Sequence, residues 1–394
     1  MKLLSFLISV LQLAPGLWFT DKPVEYKGLT EGDAISFSIP VEEKLQPGTY
    51  VQFGVTLENT GSKAPRHYMV EVLQGKKWVC ISSPVYKDGL STYSFVTAAS
   101  KDNHPSTYLN IFRLQKPVSD SLRVRCRVCS PYAADRSVLS REDPENRVCM
   151  REKHYVGARL NPLGKKAPVA RKKVLMIGNS FTYFYSVPLL LQEIAFSQGL
   201  ELDINASLKG GQTFRQHTGL VMTLATSSMD TYDFAFLQGQ SQEPAYYATD
   251  VSSQRDVKFA FCDLCDAIRT VSPECNIYIE NTWAYSSGDW GGFGSRERFE
   301  QLLAEGTSKL SIAGRTGITP VGQAFSAVAA DSTAVNPLGD DFKHQSLAGS
   351  YLKACVEYLI ISGKPFRGAV PACGLSGDEA GYLRSIAEKT VFNL

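Results

Sequence analysis

The chain has 394 residues, which at roughly 150 residues per domain suggests two or three domains. With 44% hydrophobic and 20% charged residues it can bury a full core, and this excludes a disordered chain, a coiled coil and a disulfide-stapled miniprotein. The 41 lysines and arginines nearly balance the 39 aspartates and glutamates, so no excess of positive charge points to a nucleic-acid partner.

Residues 1–16 begin with Met1-Lys2 and continue as a mostly apolar run. One positive charge followed by about eleven mostly apolar residues has the length of a signal-peptide core and is too short to cross a bilayer. Because the small residues are poorly placed for cleavage, a buried first strand or helix is the alternative. The run predicts a signal peptide and a secreted or periplasmic protein. No later apolar run reaches about 18 residues, so we expect no integral membrane segment.

Residues 17–158 carry the pattern of an all-β accessory domain. Short segments rich in β-branched and aromatic residues are separated by clusters of Gly, Pro, Asn, Asp and Ser, with no amphipathic helix between them. Such spacing predicts an antiparallel β-sandwich or jelly roll. The predicted strands are 34–39, 50–57, 68–73, 77–81, 93–97, 108–114 and 122–128.

The chain has nine cysteines, an odd number, so at least one lacks an intramolecular partner. Cys126 and Cys129 should point to opposite faces of a strand, which argues against a metal clamp. Cys262 and Cys265 share a helix face but have no further ligands nearby, so buried thiols are the favoured interpretation. A disulfide from Cys149 to Cys126 or Cys129 stays open if the chain is exported.

Residues 159–172 form a basic stretch rich in turn residues. No aromatic residues are interleaved for base stacking, so we interpret it as a solvated linker rather than a nucleic-acid patch.

From residue 173 to 394 apolar strands alternate with helices, which predicts a parallel sheet covered on both faces. Strands are expected at 174–177, 202–208, 234–237, 276–280 and 318–321, and helices at 187–197, 214–225, 257–271, 296–312 and, as the last helix, 346–361.

Ligands bind such a sheet outside the carboxyl ends of its strands, and polar residues stand at these places. Ser180 follows the first predicted strand, Gly210-Gly211 follow the second, and a Gln-Gly-Gln-Ser segment at 238–241 follows the third. Asp341 and His344 lie three apart in the loop before the predicted last helix.

This set of residues matches the needs of acyl transfer by a serine. A hydroxyl attacks an ester only when a neutral imidazole takes its proton, and an adjacent carboxylate orients that imidazole. The developing oxyanion needs preorganised N–H donors. Each residue alone would be unremarkable, since Ser180 by itself would be interpreted as a helix N-cap and His344 by itself as a surface or satisfied histidine. Their joint occurrence at strand ends favours catalysis.

From about residue 173 to the C-terminus the chain resembles the SGNH (GDSL-like) esterase superfamily. The resemblance implies a flavodoxin-like three-layer fold, with Ser180 as nucleophile and Asp341 and His344 as its Asp-x-x-His pair. Asn179 and Phe181 replace the Asp and Leu of the name-giving motif.

The oxyanion donors are assigned through the same resemblance. Gly211 matches the oxyanion glycine, with Gly210 as a close competitor. The usual Gly-x-Asn-Asp block is missing, and segment 238–241 is similar to the Gln-Gly-Glu-Ser block of sialate and xylan acetylesterase variants. Gln238 is therefore the first choice for the side-chain donor and Gln240 the second.

Two further features have open interpretations. His217 follows Gly211 on a helix, where a surface position is favoured over a place beside the pocket. The loop after the fourth strand contains Trp283, Tyr285 and Trp290, which either stack on sugar rings or pack against one another.

The expected protein is a serine esterase that hydrolyses O-acyl esters, above all O-acetyl esters, of carbohydrates through an acyl-enzyme, with no metal or organic cofactor. A lipid esterase or thioesterase with the same triad and a non-catalytic glycan-binding protein are the alternatives. The glycan substrate rests on resemblance and on the attached β domain. The sugar, the acyl length, the role of the β domain and the oligomeric state stay open.

Overall fold

A computed structural model describes residues 17–20, 23–27, 34–41, 44–47, 50–59, 66–80, 85–87, 90–92, 96–98, 106–128, 147–151, 154–159, 170–228, 230–249, 255–285, 290–331 and 335–393. The predicted signal peptide at 1–16 and most of the predicted linker, residues 160–169, lie outside these ranges. No helix among the described residues is long and apolar enough to cross a membrane.

The elements described before residue 160 are β-strands, and short runs of β-branched and aromatic residues form them. They are β1 (Leu17–Thr20), β2 (Pro23–Lys27), β3 (Ala34–Pro40), β4 (Tyr50–Asn59), β5 (Arg66–Gln74), β6 (Lys77–Cys80), β7 (Val85–Lys87), β8 (Leu90–Thr92), β9 (Val96–Ala98), β10 (Ser106–Arg113), β11 (Ser121–Val128), β12 (Arg147–Arg151) and β13 (His154–Arg159).

These strands pair antiparallel, in several groups. One sheet has the order β3-β11-β5-β6, with β9 also paired to β5. A second path runs β1-β13-β4-β10, and β12 pairs with β2 and β4. Strands β7 and β8 form a separate two-stranded sheet. The assignment of residues 17–158 to a separate β-sandwich domain stays a prediction.

The second half of the chain alternates strands and helices. The strands are β14 (Ala170–Gly178), β15 (Leu200–Lys209), β16 (Phe234–Leu237), β17 (Asn276–Glu280) and β18 (Gly317–Thr319). The helices are α1 (Ser180–Tyr183), α2 (Val187–Ser197), α3 (Phe214–Thr218), α4 (Val221–Ser228), α5 (Glu243–Ala248), α6 (Arg255–Val271), α7 (Arg296–Gly314), α8 (Val321–Ala330), α9 (Leu347–Ser362) and α10 (Gly377–Phe392), with 3-10 turns at Phe184–Ser186 and Trp290–Gly292.

Strands β14 to β18 form a five-stranded parallel sheet in the order β15-β14-β16-β17-β18. The predicted parallel α/β sheet is confirmed, and its order is that of flavodoxin-like folds. The antiparallel strand β10 pairs with the outer edge of β15, at Tyr108 with Lys209 and Leu109 with Leu208. The parallel sheet is thereby continuous with the β1-β13-β4-β10 path.

The core lies on both faces of this sheet. Successive side chains of a strand point to opposite faces, and Val174 and Met176 of β14 belong to one apolar cluster while Leu175 and Ile177 belong to another. All four are fully buried. Burial on both faces explains why the sequence of β14 is continuously apolar rather than alternating.

The structure differs from the predicted elements in several places. The helix expected at 214–225 is two helices, because α3 ends at the C-cap Gly219. Strand β14 begins at Ala170 within the predicted linker, and Arg171 and Lys172 there form ion pairs with Asp203 and Asp233. The helix expected to be last, now α9, is followed by α10.

Candidate active site

A sharp turn places Ser180 at the carboxyl end of the central strand β14. Asn179 is the N-cap of α1, and its Oδ1 accepts a hydrogen bond from the Phe181 N–H at 3.1 Å. Its Nδ2 donates to the Gly239 carbonyl at 2.8 Å, which ties the turn to the loop after β16. Ser180 is 9% exposed, so its hydroxyl stands at the rim while its backbone is fixed.

The structure brings Ser180, His344 and Asp341 together in one hydrogen-bonded chain. His344 Nε2 lies 2.9 Å from Ser180 Oγ, and His344 Nδ1 lies 2.5 Å from Asp341 Oδ2. Ser180 and His344 are 164 residues apart in sequence. In this order the imidazole can take the serine proton at Nε2 while the carboxylate holds Nδ1–H.

Asp341 is fixed as an ionised acceptor. Its Oδ1 accepts hydrogen bonds from the backbone N–H groups of Lys343 at 3.0 Å and His344 at 2.9 Å. Partial burial opposes ionisation, but these bonds and the one from the His344 ring outweigh it and hold the pKa of Asp341 below its usual range. The carboxylate can therefore stabilise an imidazolium.

Aromatic rings position the imidazole of His344. The Phe184 ring stacks on it with centroids 4.4 Å apart, and the Phe181 ring meets it edge-on at 5.5 Å. Trp283 stacks on Phe181 at 4.3 Å, and its Nε1 donates to the Lys343 carbonyl at 3.0 Å. Phe181 and Trp283 therefore link the nucleophile turn to the loop that carries the base.

Two backbone N–H groups remain available near the nucleophile. Neither the Ser180 N–H nor the Gly211 N–H has a hydrogen-bond partner among the described residues. Gly211 has φ +69° and is exposed in the loop after β15, a conformation that glycine adopts without strain. Gly210, its competitor, is exposed beside it.

The two glutamines of segment 238–241 have other partners. Gln238 is 1% exposed; its Oε1 accepts from the Asn179 N–H at 3.0 Å and its Nε2 donates to the Gly239 carbonyl. Gln240 Nε2 donates to Ser241 Oγ and Gln242 Oε1. The Gln238 side chain thus ties the Asn179 turn to the loop after β16, and the choice of Gln238 or Gln240 as the side-chain oxyanion donor stays a prediction.

Glu243 is a buried carboxylate that sequence reasoning missed. It accepts hydrogen bonds from the backbone N–H groups of Phe214, at 3.0 and 3.2 Å, and of Gln240, at 2.7 Å. Burial raises its pKa to about 7, against the opposing effect of these two bonds. Glu243 joins the segment that follows Gly211 to the loop that carries Gln240.

His217 is buried, and the prediction of a surface position is wrong. Its side chain is fully inaccessible, and Nδ1 lies 2.9 Å from Thr223 Oγ1, which in turn contacts Ser207 Oγ. Burial lowers the pKa of His217 to about 3, so the ring is neutral. The interruption of the helix at Gly219 turns this face of α3 toward α4 and the sheet.

The aromatic residues after β17 mostly pack within the protein. Trp283 and Tyr285 are 2% and 3% exposed, and Tyr285 meets Phe299 edge-on at 5.1 Å. Trp290 is half-buried. For Trp283 and Tyr285 this favours packing over contact with a sugar, while residues 286–289 lie outside the described ranges.

The cysteines of the described α/β half are free thiols: Cys262, Cys265, Cys275, Cys355 and Cys373. Burial raises the pKa of Cys265 to about 12, which makes it unreactive. Among the described residues no group of three or more His, Cys, Asp or Glu side chains could hold a metal ion.

No protein-family profile matches the sequence, and no curated protein matches it significantly. The fold is similar to that of a DUF4886 family protein from Bacteroides uniformis, with a TM-score of 0.50, 18% identity and coverage of 56% of this chain and 95% of that chain. It is also similar to a catalytic mutant of Axe2, an acetylxylan esterase from Geobacillus stearothermophilus, with a TM-score of 0.37, 16% identity and coverage of 50% and 97%. At these identities the likeness concerns the fold alone.

Proposed function

We propose that the protein is an SGNH-type serine esterase that removes O-acetyl groups from carbohydrates. The observation that carries this proposal is the hydrogen-bonded chain from Ser180 Oγ through the His344 ring to Asp341. It stands at the carboxyl ends of a parallel sheet, where ligands bind in such folds.

The chemistry proceeds through an acyl-enzyme. Ser180 Oγ attacks the acyl carbonyl carbon while its proton passes to His344 Nε2, and Asp341 stabilises the imidazolium. The backbone N–H groups of Ser180 and Gly211 bind the oxyanion, with Gln238 and then Gln240 as the side-chain candidates. The intermediate collapses with cleavage of the bond between the acyl carbon and the sugar oxygen, which takes the proton from His344 and leaves as a hydroxyl.

Hydrolysis then releases the acyl group. A water gives its proton to His344 Nε2 and attacks the Ser180 ester, and the second tetrahedral intermediate expels the serine oxygen, which recovers the proton. The products are acetate and the free hydroxyl of the sugar. No residue of this scheme requires a metal or an organic cofactor.

The acetyl and carbohydrate parts of the proposal rest on motif resemblance. Segment 238–241 is similar to the third block of carbohydrate acetylesterases, and an extra region of β-strands precedes the α/β half. These are arguments from association rather than from the geometry of the site. They fix which substrates to test first.

The test of the enzyme class is hydrolysis of p-nitrophenyl acetate by the whole chain. Ser180→Ala and His344→Ala should lower kcat by about 10³-fold or more. If both variants keep the wild-type rate, the site is wrong, and if the wild type shows no hydrolysis, a binding protein becomes the better explanation.

The test of the substrate class is acetate release from a panel of acetylated polysaccharides. At least one polysaccharide should release acetate faster than p-nitrophenyl octanoate is hydrolysed. A clear preference for the octanoyl ester would instead identify a lipid esterase with the same triad.

A further inference from the structure

Side chains on or next to α9 hold the carbonyl groups of the nucleophile turn. Gln345 Nε2 donates to the Ser180 carbonyl at 3.1 Å, and Ser350 Oγ donates to the Phe184 carbonyl at 3.1 Å. The Phe181 carbonyl, which lies between these two carbonyls in sequence, accepts a hydrogen bond from Lys353 Nζ at 3.0 Å. The Ser180 carbonyl also accepts the Phe184 N–H within the short helix, while the carbonyls at the end of such a helix have no donor in the next turn; side chains on or next to α9 supply donors to all three.

Lys353 is the most unusual of the three residues because it is a fully buried charge. Its side chain is 0% exposed, and Nζ forms an ion pair with Glu280 at the end of β17. Nζ also donates to Thr182 Oγ1 at 3.0 Å. A charge in the interior is costly unless it is paired and hydrogen-bonded, and here each of its three donors has an acceptor.

A second carboxyl group, Glu357, lies one helical turn from Lys353. Its Oε1 is 3.8 Å from Nζ, and neither of its oxygens has a hydrogen-bond partner among the described residues. Burial and the neighbouring Glu280 carboxyl raise the pKa of Glu357 well above its usual range, which favours its neutral form. The cluster therefore contains one anion, Glu280, and one cation, Lys353.

The contacts of Lys353 extend to backbone groups of both residues adjacent to Ser180, Asn179 and Phe181. On one side Nζ binds the Phe181 carbonyl directly. On the other side Thr182 Oγ1 donates to Gln238 Oε1 at 3.1 Å, and the same oxygen accepts the Asn179 N–H. The Glu280–Lys353 pair thus fixes the backbone before and after Ser180.

We propose that Lys353, held by Glu280, is a positioning residue that sets the distance and angle between Ser180 Oγ and His344 Nε2. The inference deepens the proposed esterase function and rests on it. Lys353 touches neither substrate nor the reacting atoms; it acts through the carbonyl of Phe181 and the hydroxyl of Thr182. Since α9 also follows the His344 loop directly, one helix positions both nucleophile and base.

The cost of losing this position is expected in kcat rather than in KM. A misplacement of about 1 Å in a reacting group can lower the rate by about 10²-fold. Binding of a small ester does not depend on the angle of the serine hydroxyl, so KM should change little. A residue with only a structural role would alter stability and leave kcat of the folded protein unchanged.

The first test separates stability from positioning with the double variant Lys353→Met/Glu280→Met. Replacing a buried ion pair by apolar residues of similar volume is often neutral for stability, so the thermal midpoint should stay near that of the wild type. The hydrogen bonds to the Phe181 carbonyl and Thr182 are lost, so kcat on p-nitrophenyl acetate should fall at least about tenfold. A double variant with wild-type kcat overturns the proposal.

The second test uses two matched single substitutions, in case the double variant does not fold. Glu357→Gln replaces a neutral group by a neutral isostere and should keep the wild-type kcat. Glu280→Gln removes the only anion, so Lys353 should turn toward Glu357 and away from the Phe181 carbonyl, and kcat should fall about tenfold. Equal kcat for the two variants, or a larger loss in Glu357→Gln, contradicts the proposal.

The reactivity of Ser180 is measured independently of any ester substrate by its rate of labelling with a fluorophosphonate, located by mass spectrometry. Labelling should slow in Glu280→Gln and in the double variant and stay unchanged in Glu357→Gln. If the wild type is labelled at Ser180 but hydrolyses no ester, the proposed function fails while the positioning role survives. If labelling is equally fast in all variants, the positioning role fails by itself, and an unlabelled wild type overturns both.

Discussion

Gln345 Nε2 donates a hydrogen bond to the backbone carbonyl of Ser180 across 3.1 Å. Gln345 follows the base His344 directly and is 1% exposed. The residue next to the base therefore holds the peptide of the nucleophile, and the two loops cannot separate without breaking a buried hydrogen bond. Ser180 and His344, 164 positions apart in sequence, are thus bridged twice, once by their own side chains and once by Gln345.

Gln345→Met removes this bond while keeping the volume of the side chain. Gln345 Oε1 has no partner among the described residues, so the substitution breaks no side-chain hydrogen bond other than the one to the Ser180 carbonyl. We expect kcat on p-nitrophenyl acetate to fall about tenfold, since a buried hydrogen bond of about 1.4 kcal/mol no longer fixes the turn. The exposed Gln301→Met on α7 is the control, and equal kcat for the two variants would refute the role of Gln345.

Asp341→Asn should inactivate the site without unfolding it. The asparagine oxygen can still accept the backbone N–H groups of Lys343 and His344, but its NH₂ group would face His344 Nδ1. The ring must then carry its proton on Nε2, where it cannot accept the proton of Ser180. We expect kcat to fall by about 10³- to 10⁴-fold, measured with p-nitrophenyl acetate.

The neighbouring exposed Asp340→Asn is the matched control for this substitution. It removes the same charge one residue away and should leave kcat near the wild-type value. Asp341→Asn retaining more than about a tenth of the wild-type kcat would show that His344 does not depend on this carboxylate.

The elements of the α/β half could be predicted from sequence where apolar residues follow the pattern of a buried strand or of a helix. The predicted bounds of α2, β16 and β17 coincide with those of the structure. For the two strands the reason is that buried parallel strands are continuously apolar and short. Ser180, Asp341 and His344, the proposed triad, lie together for a related reason: the strand ends of a parallel sheet meet at one edge, so polar residues there are brought together whatever their separation in sequence.

The supporting residues were not readable because their role depends on the tertiary fold. Lys353 and Glu357 are spaced as an ordinary surface ion pair on a helix, and only the burial of every side of α9 makes them unusual. A signal was present, since the rest of α9 is almost entirely apolar or small. The roles of Glu243 and His217 likewise depend on their burial in the folded protein, which the sequence around them did not indicate.

Glu243→Gln should change how stability depends on pH. The pKa of Glu243 is about 7 in the folded protein and near 4.5 in the unfolded chain. The folded state therefore holds a proton that the unfolded state releases, and this contribution to stability is present below about pH 4.5 and lost as pH rises through 7. The substituted glutamine does not titrate, so the variant keeps its stability where the wild type loses it. Between about pH 4.5 and 7 the free energy of unfolding of Glu243→Gln should therefore rise relative to that of the wild type by on the order of 1–3 kcal/mol.

The measurement for Glu243 is urea unfolding of wild type and variant from pH 4.5 to 8. The control is Glu305→Gln, an exposed glutamate whose pKa is lowered by its hydrogen bond from Lys309. This control should not remove the decline of stability toward pH 7. Parallel curves for the wild type and Glu243→Gln would mean that Glu243 titrates alike in the folded and unfolded protein.

Gly239→Ala should disturb the contact between the two loops that flank the nucleophile. A Cβ at Gly239 would overlap Glu243 Oε2 and lie 2.8 Å from Cε2 of Phe214, both closer than packed atoms allow. We expect a loss of about 1–3 kcal/mol in the free energy of unfolding together with lower kcat, because the shift of Glu243 also moves the loop that carries Gly211. Gly219→Ala is the matched control, since a Cβ there meets nothing nearer than 3.7 Å and the change should be within about 1 kcal/mol. Urea unfolding measures both variants, and a Gly239→Ala protein as stable as Gly219→Ala would show that this contact yields without cost.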